Sequence, residues 1–280
     1  MGGPMAGHLA RAGHRVTVYN RTASTAEAWL QAHADCDVRA APTPAEAAKG
    51  QDAVLTCVGN DDDLRTVVLG ETGALAAMRE GAVFVDHTTV SAAIAREIAE
   101  EASGRRVLAV DAPVSGGQAG AENGQLAIMC GGSNAALEAA RPIMAAYAKA
   151  ITHIGGPGAG QTAKMVNQTA IAGLLAGLSE AVTLAKASGL NTDAVFGAIS
   201  GGAAQSWQMD NRWGTMADGQ FDFGFAIDWM RKDLAITLGE ARNLGLSLPV
   251  TALVDQLYAQ VQRQGGGRLD TSALIKHLGE

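Results

Sequence analysis

Five short apolar runs alternate with amphipathic stretches through the first half of the chain, and then the alternation stops. The runs are residues 15–19, 53–58, 82–86, 106–111 and 126–130, rich in Val, Leu and Ile. Between them, residues 25–34, 43–49, 63–68, 92–103 and 134–148 carry helical periodicity. Strand, helix, strand in this order predicts βαβ units and a mostly parallel sheet. The strands are apolar nearly throughout, as required when helices cover both faces. The first helix is expected over residues 5–12, just before the first strand.

Beyond Ile151-Thr152-His153-Ile154 comes a glycine-rich bend, Gly155-Gly156-Pro157-Gly158-Ala159-Gly160, and no further strand is legible. A long helix is predicted over residues 161–188, closed by Gly189 in the position that favours glycine. Shorter helices follow over residues 192–200, 206–218, 227–244, 249–264 and 271–277. The expected organisation is an α/β domain over residues 1–154 and an all-α domain over residues 155–280. Ligands of open α/β sheets bind at the carboxyl ends of the strands, so a cleft bounded by the two domains is the expected site.

Charge and composition narrow the function. A formal net charge of −7 leaves no basic surplus for nucleic acid. No basic segment followed by an apolar run and a cleavage site is found, so a cytoplasmic chain is expected. The apolar stretch 170–185 is broken by Ser179, Glu180 and Thr183 and reads as a buried helix rather than a membrane span. The three cysteines, Cys36, Cys57 and Cys130, are widely spaced and read as buried reduced thiols. The six histidines show no ligand spacing, so no metal site is expected.

Candidate chemistry sits at helix starts and strand ends. Gly2-Gly3-Pro4-Met5-Ala6 opens a helix that is followed by a strand, matching the tail of a dinucleotide-binding βαβ unit. A capped helix near a terminus would give the same residues. Tyr19-Asn20-Arg21-Thr22 ends that strand where NAD-selective proteins place a carboxylate on the ribose; Asn20 and Arg21 suit a 2′-phosphate instead, which favours NADP over NAD. Arg21 as a solvated charge beside a turn is the plain alternative. Val58-Gly59-Asn60 would pass beneath a cofactor, with Asn60 or the aspartates after it capping the next helix. Asp86-His87-Thr88-Thr89 offers hydroxyls for a ribose; Thr89 suits that role or a helix cap, and His87 reads as a turn residue rather than a base.

Two segments are more specific. In Asp111-Ala112-Pro113-Val114-Ser115-Gly116-Gly117, two glycines after a serine let backbone N–H groups converge on an anion such as a carboxylate. In Gly158-Ala159-Gly160-Gln161-Thr162-Ala163-Lys164-Met165-Val166-Asn167-Gln168, Lys164, Asn167 and Gln168 share one face of an otherwise apolar helix. A lysine there is suited to give a proton to a carbonyl oxygen as hydride arrives, and burial and the helix N-terminus would lower its pKa. A solvated lysine and amide face is the alternative. Met230-Arg231-Lys232-Asp233-Leu234 puts two cations in an apolar helix, and Lys232 is a candidate cofactor contact.

Together these segments resemble the β-hydroxyacid dehydrogenase family, which includes 3-hydroxyisobutyrate dehydrogenases, tartronate semialdehyde reductases and glyoxylate or succinic semialdehyde reductases. The resemblance runs over essentially the whole chain. It implies a Rossmann-type doubly wound α/β domain followed by an all-α C-terminal domain. It also implies NAD(P)-dependent interconversion of a β-hydroxyacid and its semialdehyde or keto form. By the resemblance, Lys164 is the catalytic acid/base; Ser115, Gly116 and Gly117 bind the substrate carboxylate; Asn167 and Gln168 orient the substrate. Gly2, Pro4, Met5, Asn20, Arg21, Thr22, Val58, Gly59, Asn60, Thr89 and Lys232 fall to the cofactor, with NADP preferred over NAD. The family forms dimers or tetramers through its helical domain, so a homodimer or homotetramer without nucleic-acid or membrane partners is implied.

One departure stands at the start. The family pattern begins with a strand and G-x-G-x-M-G, of which Met1-Gly2 matches only the end. About ten residues of that pattern are missing, including a strand central to the sheet. A misassigned start codon or a clipped chain is expected to be the reason. With the chain as written, the flanking strands should stand about 10 Å apart instead of about 4.8 Å, or the sheet should rearrange. Two further readings remain at this point: reduction of C=N bonds on the same fold, disfavoured by the retained Lys164, and an inactive cofactor-binding or scaffold protein.

Overall fold

The computed structural model describes residues 1–279. They form two compact units that divide between Lys164 and Met165.

The first unit is built from α1 (Gly2–Arg11), β1 (Val16–Val18), α2 (Ala23–Ala32), β2 (Val38–Ala40), α3 (Pro44–Ala48), β3 (Ala53–Thr56), α4 (Asp61–Leu69), β4 (Val83–Asp86), α5 (Ala92–Gly104), β5 (Leu108–Asp111), β6 (Val114–Ser115), α6 (Gly117–Glu122), β7 (Leu126–Gly132), α7 (Asn134–Met144) and β8 (Ala148–Gly155). Local chemistry sets several helix starts. Thr43, Asn60, Ser91 and Ser133 each accept the backbone N–H three residues on, and each such cap is worth about 1 kcal/mol. The cap of α5 is therefore Ser91, which leaves Thr89 outside that role.

β3, β4 and β5 run parallel in register, Ala53 beside Val83 and Val83 beside Leu108. β4 explains the apolar strands. Val83 and Val85 pack into a core shared with Met5 and Leu9 of α1 and Leu137 and Met144 of α7. Phe84 packs on the opposite face with Leu64 of α4 and Ile94 and Ile98 of α5.

The sheet is more mixed than the sequence suggests. β7 pairs antiparallel with β5 and β6, and parallel with β8. The strands β2, β6 and β8 carry no clear apolar alternation and were not expected. The helix predicted to residue 148 ends at Met144, because Ala148 already belongs to β8. The segment after Ser115 is a short helix, α6, rather than a loop.

The strands of the first unit fall into two sheets. β1 and β2 form a separate two-stranded parallel sheet, and no ladder joins β1 to β3 among the described residues. Only one cysteine, Cys130, is buried; Cys36 and Cys57 are half-exposed, correcting the expectation of three buried thiols. Cys57 follows the edge strand β3, and Cys36 lies in the turn after α2.

The helix α8 (Ala159–Ala187) starts in the first unit and runs on into the second. At 29 residues it is long and apolar enough to cross a membrane by length and composition, a test that the core helix of a folded domain also passes, and its Leu175 and Val182 are buried in the core of the second unit. The second unit continues with α9 (Thr192–Ile199), α10 (Trp207–Ala217), α11 (Ile227–Asn243) and α12 (Pro249–Arg263), and ends in two 3-10 segments, Gly266–Arg268 and Thr271–Leu278. The last of these was expected as an ordinary helix. Gly189, with φ +68°, closes α8 as predicted. The core of this unit gathers Leu175 and Val182 of α8 with Trp213, Leu234, Tyr258 and Leu274. Asp270, fully buried, fastens it: it takes the Arg212 Nε–H at 3.0 Å and the N–H groups of Phe225 and Ser272 at 3.0 Å each.

Candidate active site

The predicted cofactor residues of the first unit lie after the carboxyl ends of β1, β3 and β4 and at the start of α1; the remaining one, Lys232, is on α11 of the second unit. No side chain caps α1, so the N–H groups of its first turn are open, and anions are favoured there. Gly2 presents no side chain at that point; a Cβ on it would stand 3.4 Å from Cys57 Cβ. Trp29 Nε1–H donates to Gly3 O at 3.0 Å, which fixes the entry to the helix. Met5 is buried beneath it and serves the core, while Pro4 is half-buried.

At the end of β1, Asn20 Oδ1 accepts the Thr22 N–H at 2.8 Å and shapes the turn. Arg21 is highly exposed and reaches Asp63 of α4 at 3.2 Å. At the end of β3, the Val58 N–H donates to Thr88 Oγ1 at 3.0 Å, and Asn60 accepts the Asp63 N–H at 2.8 Å. An open helix N-terminus, a close-approach glycine and an exposed arginine at the next strand end fit a dinucleotide: pyrophosphate at α1, ribose and its substituent near Asn20, Arg21 and Thr22.

Ser115 is half-buried at the end of β6. Gly116 and Gly117 follow with φ of +127° and +62°, backbone that L side chains resist, and both are exposed. Such backbone leaves the N–H groups of this segment clear of side chains of their own. Lys164 is only 8% exposed, although it stands near the start of α8. The solvated-lysine alternative is thereby excluded.

Two buried side chains, Asp111 and Gln161, which lie inside the quoted motifs without an assigned role, hold the start of α8. Asp111 Oδ1 takes the Gly158 N–H at 2.8 Å and Oδ2 takes the Gln161 N–H at 2.9 Å. Burial still pushes its carboxyl up to about 6, against the pull of those backbone bonds. Gln161 donates through Nε2 to Thr88 O at 2.7 Å and accepts the Val90 N–H at 3.1 Å. His87, expected as a turn residue rather than a base, directly follows β4 and is buried. It is buried between Ala112 O and the Tyr147 hydroxyl, both at 2.7 Å, and burial pushes its pKa down to about 4.

In the second unit, Asn167 Nδ2–H donates to Gln168 Oε1 at 2.8 Å, and Gln168 Nε2–H donates to Asp233 Oδ2 at 2.7 Å. Lys232 Nζ lies 3.0 Å from Asp233 Oδ1. Gln168 is buried, with its amide oxygen engaged by Asn167 and its amide nitrogen by Asp233. Asp233 joins the predicted residues Gln168 and Lys232, a role that had no signal beyond its place beside the lysine.

Comparison with known proteins covers both halves of the chain. Residues 1–155 match the model of the NAD binding domain of 6-phosphogluconate dehydrogenase. Residues 158–278 match that of the NAD-binding domain of NADP-dependent 3-hydroxyisobutyrate dehydrogenase. The chain belongs to the β-hydroxyacid dehydrogenase family.

Within this family, an uncharacterized oxidoreductase of Shewanella frigidimarina (strain NCIMB 400) is 56% identical over 278 residues, covering 99% of this chain and 94% of that one. The 2-hydroxy-3-oxopropionate reductase of Escherichia coli (strain K12) is 34% identical over 278 residues, with the same coverage, 99% and 94%. The solved 3-hydroxyisobutyrate dehydrogenase of Mycobacterium tuberculosis with L-serine superposes with a TM-score of 0.90 at 32% identity, covering 100% of this chain and 96% of that one. The chain is thus an NAD(P)-dependent oxidoreductase of the hydroxyacid dehydrogenase type, with a Rossmann-type domain followed by a helical region.

Proposed function

We propose that this member of the family reduces a small semialdehyde or keto acid bearing a carboxylate to the β-hydroxyacid, and runs the reverse reaction, with Lys164 as general acid/base. The observation that carries the reading is the buried Lys164 at the start of an apolar helix whose first turn is anchored by Asp111 and Gln161. The bound nicotinamide supplies or accepts the hydride. In the reductive direction, Lys164 Nζ gives a proton to the carbonyl oxygen as that oxygen gains charge, and the neutral amine takes a proton back from solvent. Acid/base assistance of this kind is worth about 10²–10⁴-fold in rate.

Ser115 and the N–H groups of Gly116 and Gly117 hold the substrate carboxylate. Asn167 orients the substrate, with Gln168 holding Asn167 in place. Thr89 and Lys232 are taken as cofactor contacts. Arg21 and Asn20, in place of a carboxylate at that strand end, support a preference for NADP over NAD. The reading also takes the enzyme as a cytoplasmic homodimer or homotetramer. Exposed Val166, Leu174 and Leu184 on α8 and Val250 and Leu253 on α12 support an apolar partner surface on the helical unit.

A panel of carboxylate-bearing semialdehydes, keto acids and cyclic imines, offered with NADPH and with NADH, tests the substrate class and the cofactor. Turnover of the imines alone would overturn it. Lys164→Ala should lose about 10²–10⁴-fold in kcat while NADPH binding, followed by nicotinamide fluorescence, stays within about threefold. Near-normal turnover of that variant would remove Lys164 from its role.

A further inference from the structure

The start of α8 is held by two side chains that come from different parts of the first unit. Asp111, at the end of β5, spans two N–H groups of the helix start from 47 and 50 residues away. Its carboxylate passes over Gly131, its register partner on β7, and beneath Gly160. A Cβ on Gly131 would lie within 2.3 Å of Asp111 Oδ1, and one on Gly160 within 2.5 Å of Met129 O. Two glycines therefore leave the room in which this carboxylate caps the helix. Gln161, 1% exposed, then reaches the other way. Its side-chain amide closes on Thr88 O and on the Val90 N–H, the two residues flanking Thr89. Three residues on along the same helix stands Lys164.

The geometry points to Gln161 as a positioning residue that locks the Thr89 segment to the helix turn bearing Lys164, with Asp111 fixing the register of that turn. Gln161 touches neither substrate nor cofactor. It acts by holding the backbone on both sides of Thr89 at a set distance from Lys164. The clamp uses both ends of one amide, a donor to a carbonyl and an acceptor from an N–H. A carboxylate or an aliphatic side chain of similar size satisfies at most half of it. A displacement of about 1 Å between reacting groups costs on the order of 100-fold in rate, so loss of the clamp should appear in kcat.

The inference rests on the proposed role of Lys164, and its test separates the two. Three proteins are compared: the full chain, Gln161→Glu, which keeps the acceptor for the Val90 N–H, and Gln161→Leu. The first readout is amide hydrogen exchange, which needs no turnover. In Gln161→Leu, the segments 88–90 and 158–164 should both exchange about tenfold faster or more, with the rest of the unit unchanged. Gln161→Glu should fall between the two. The second readout is kinetic: kcat should fall about 10- to 100-fold in Gln161→Leu, with substrate KM and NADPH Kd within about threefold. Faster exchange in only one segment, or a folded Gln161→Leu protein with unchanged kcat, overturns the inference. If Gln161→Leu does not fold, an unchanged kcat and unchanged exchange in Gln161→Glu overturns it. A full chain inert towards every carbonyl substrate overturns the proposed function, and the exchange result still decides the clamp.

Discussion

Asp86 and Asp111 are register partners on β4 and β5, and their buried carboxyl groups line one small void with Phe84 and Ile98. The void has room for about one water molecule. Asp86 Oδ1 takes the Thr56 hydroxyl at 2.8 Å and the Thr88 N–H at 3.0 Å, while its Oδ2 has no hydrogen-bond partner among the described residues. Burial, reinforced by Asp111, pushes the Asp86 carboxyl up to about 7 from 3.8. A carboxyl with a raised folded pKa stabilises the fold fully below about 4 and loses that contribution as pH rises through about 7. Asp86→Asn keeps an acceptor for both donors and cannot ionise. Relative to the parent, the variant should gain stability between pH 4 and 8, by on the order of a few kcal/mol across the window. Urea denaturation at four pH values checks this; parallel stability curves for the two proteins would refute it.

His87 carries the opposite sign. Neutral imidazole donates from one nitrogen and accepts at the other, which matches Nδ1–H to Ala112 O and the Tyr147 hydroxyl donating to Nε2. With a folded pKa lowered to about 4, its contribution is present above about 6.5 and lost as pH falls through about 4. Tyr147→Phe should cost about 1–3 kcal/mol, because a buried acceptor loses its donor. In the parent, the ring nitrogen NMR shifts of His87 should stay those of the neutral tautomer down to about pH 5. A titration midpoint near 6.5 would show that the ring is not buried in this way.

What the sequence disclosed and what it hid differ by range. The strands β3, β4 and β5 were legible because burial on both faces leaves them apolar, and α4 and α5 because their periodicity and capping residues are local. β2 was hidden: Val38-Arg39-Ala40 is three residues long, half-buried to exposed, and pairs only with β1. β8 was hidden because most of its side chains face outwards, so its alanines read as a helix tail. In the site, the Ser115-Gly116-Gly117 and Lys164 signals lie within short motifs. Asp111, though inside a quoted motif, takes its function from N–H groups 47 and 50 residues away. Gln161 takes its own from Thr88 and Val90, 73 and 71 residues away. No local pattern encodes partners at that separation.

The second unit offers a test of a buried ion pair. Asp270 is fully buried, and besides Arg212 it accepts the backbone N–H groups of Phe225 and Ser272. Gly224 leaves the space for it, since a Cβ there would fall on Asp270 Oδ2. Arg212 also lies over the rings of Trp207 and Phe223, at 5.1 and 4.9 Å. Removing one partner leaves the other charge buried and unsatisfied, so Asp270→Ala should destabilise the fold by about 3–5 kcal/mol. Asp270→Asn, which keeps acceptor oxygen for part of the set, should lose less. Thermal denaturation of both variants checks the order, and equal losses would show that the retained amide oxygen contributes nothing and the charge accounts for the whole effect.

Arg21 links the fold to cofactor choice. It stands exposed at the end of β1 and pairs with Asp63, so the carboxylate competes with any phosphate that approaches the guanidinium. Exposed pairs of this kind are weak, and a 2′-phosphate offering two oxygens to the guanidinium should displace Asp63 readily. Arg21→Ala should therefore lower kcat/KM with NADPH about tenfold or more and leave NADH nearly unchanged. Asp63→Asn should act the other way, raising the apparent affinity for NADPH a fewfold while Asn60 still caps α4 through the same backbone N–H. Steady-state kinetics with both cofactors on both variants decides the matter. Equal losses with NADPH and NADH in Arg21→Ala would show that Arg21 supports the turn after β1 and does not read the 2′-phosphate.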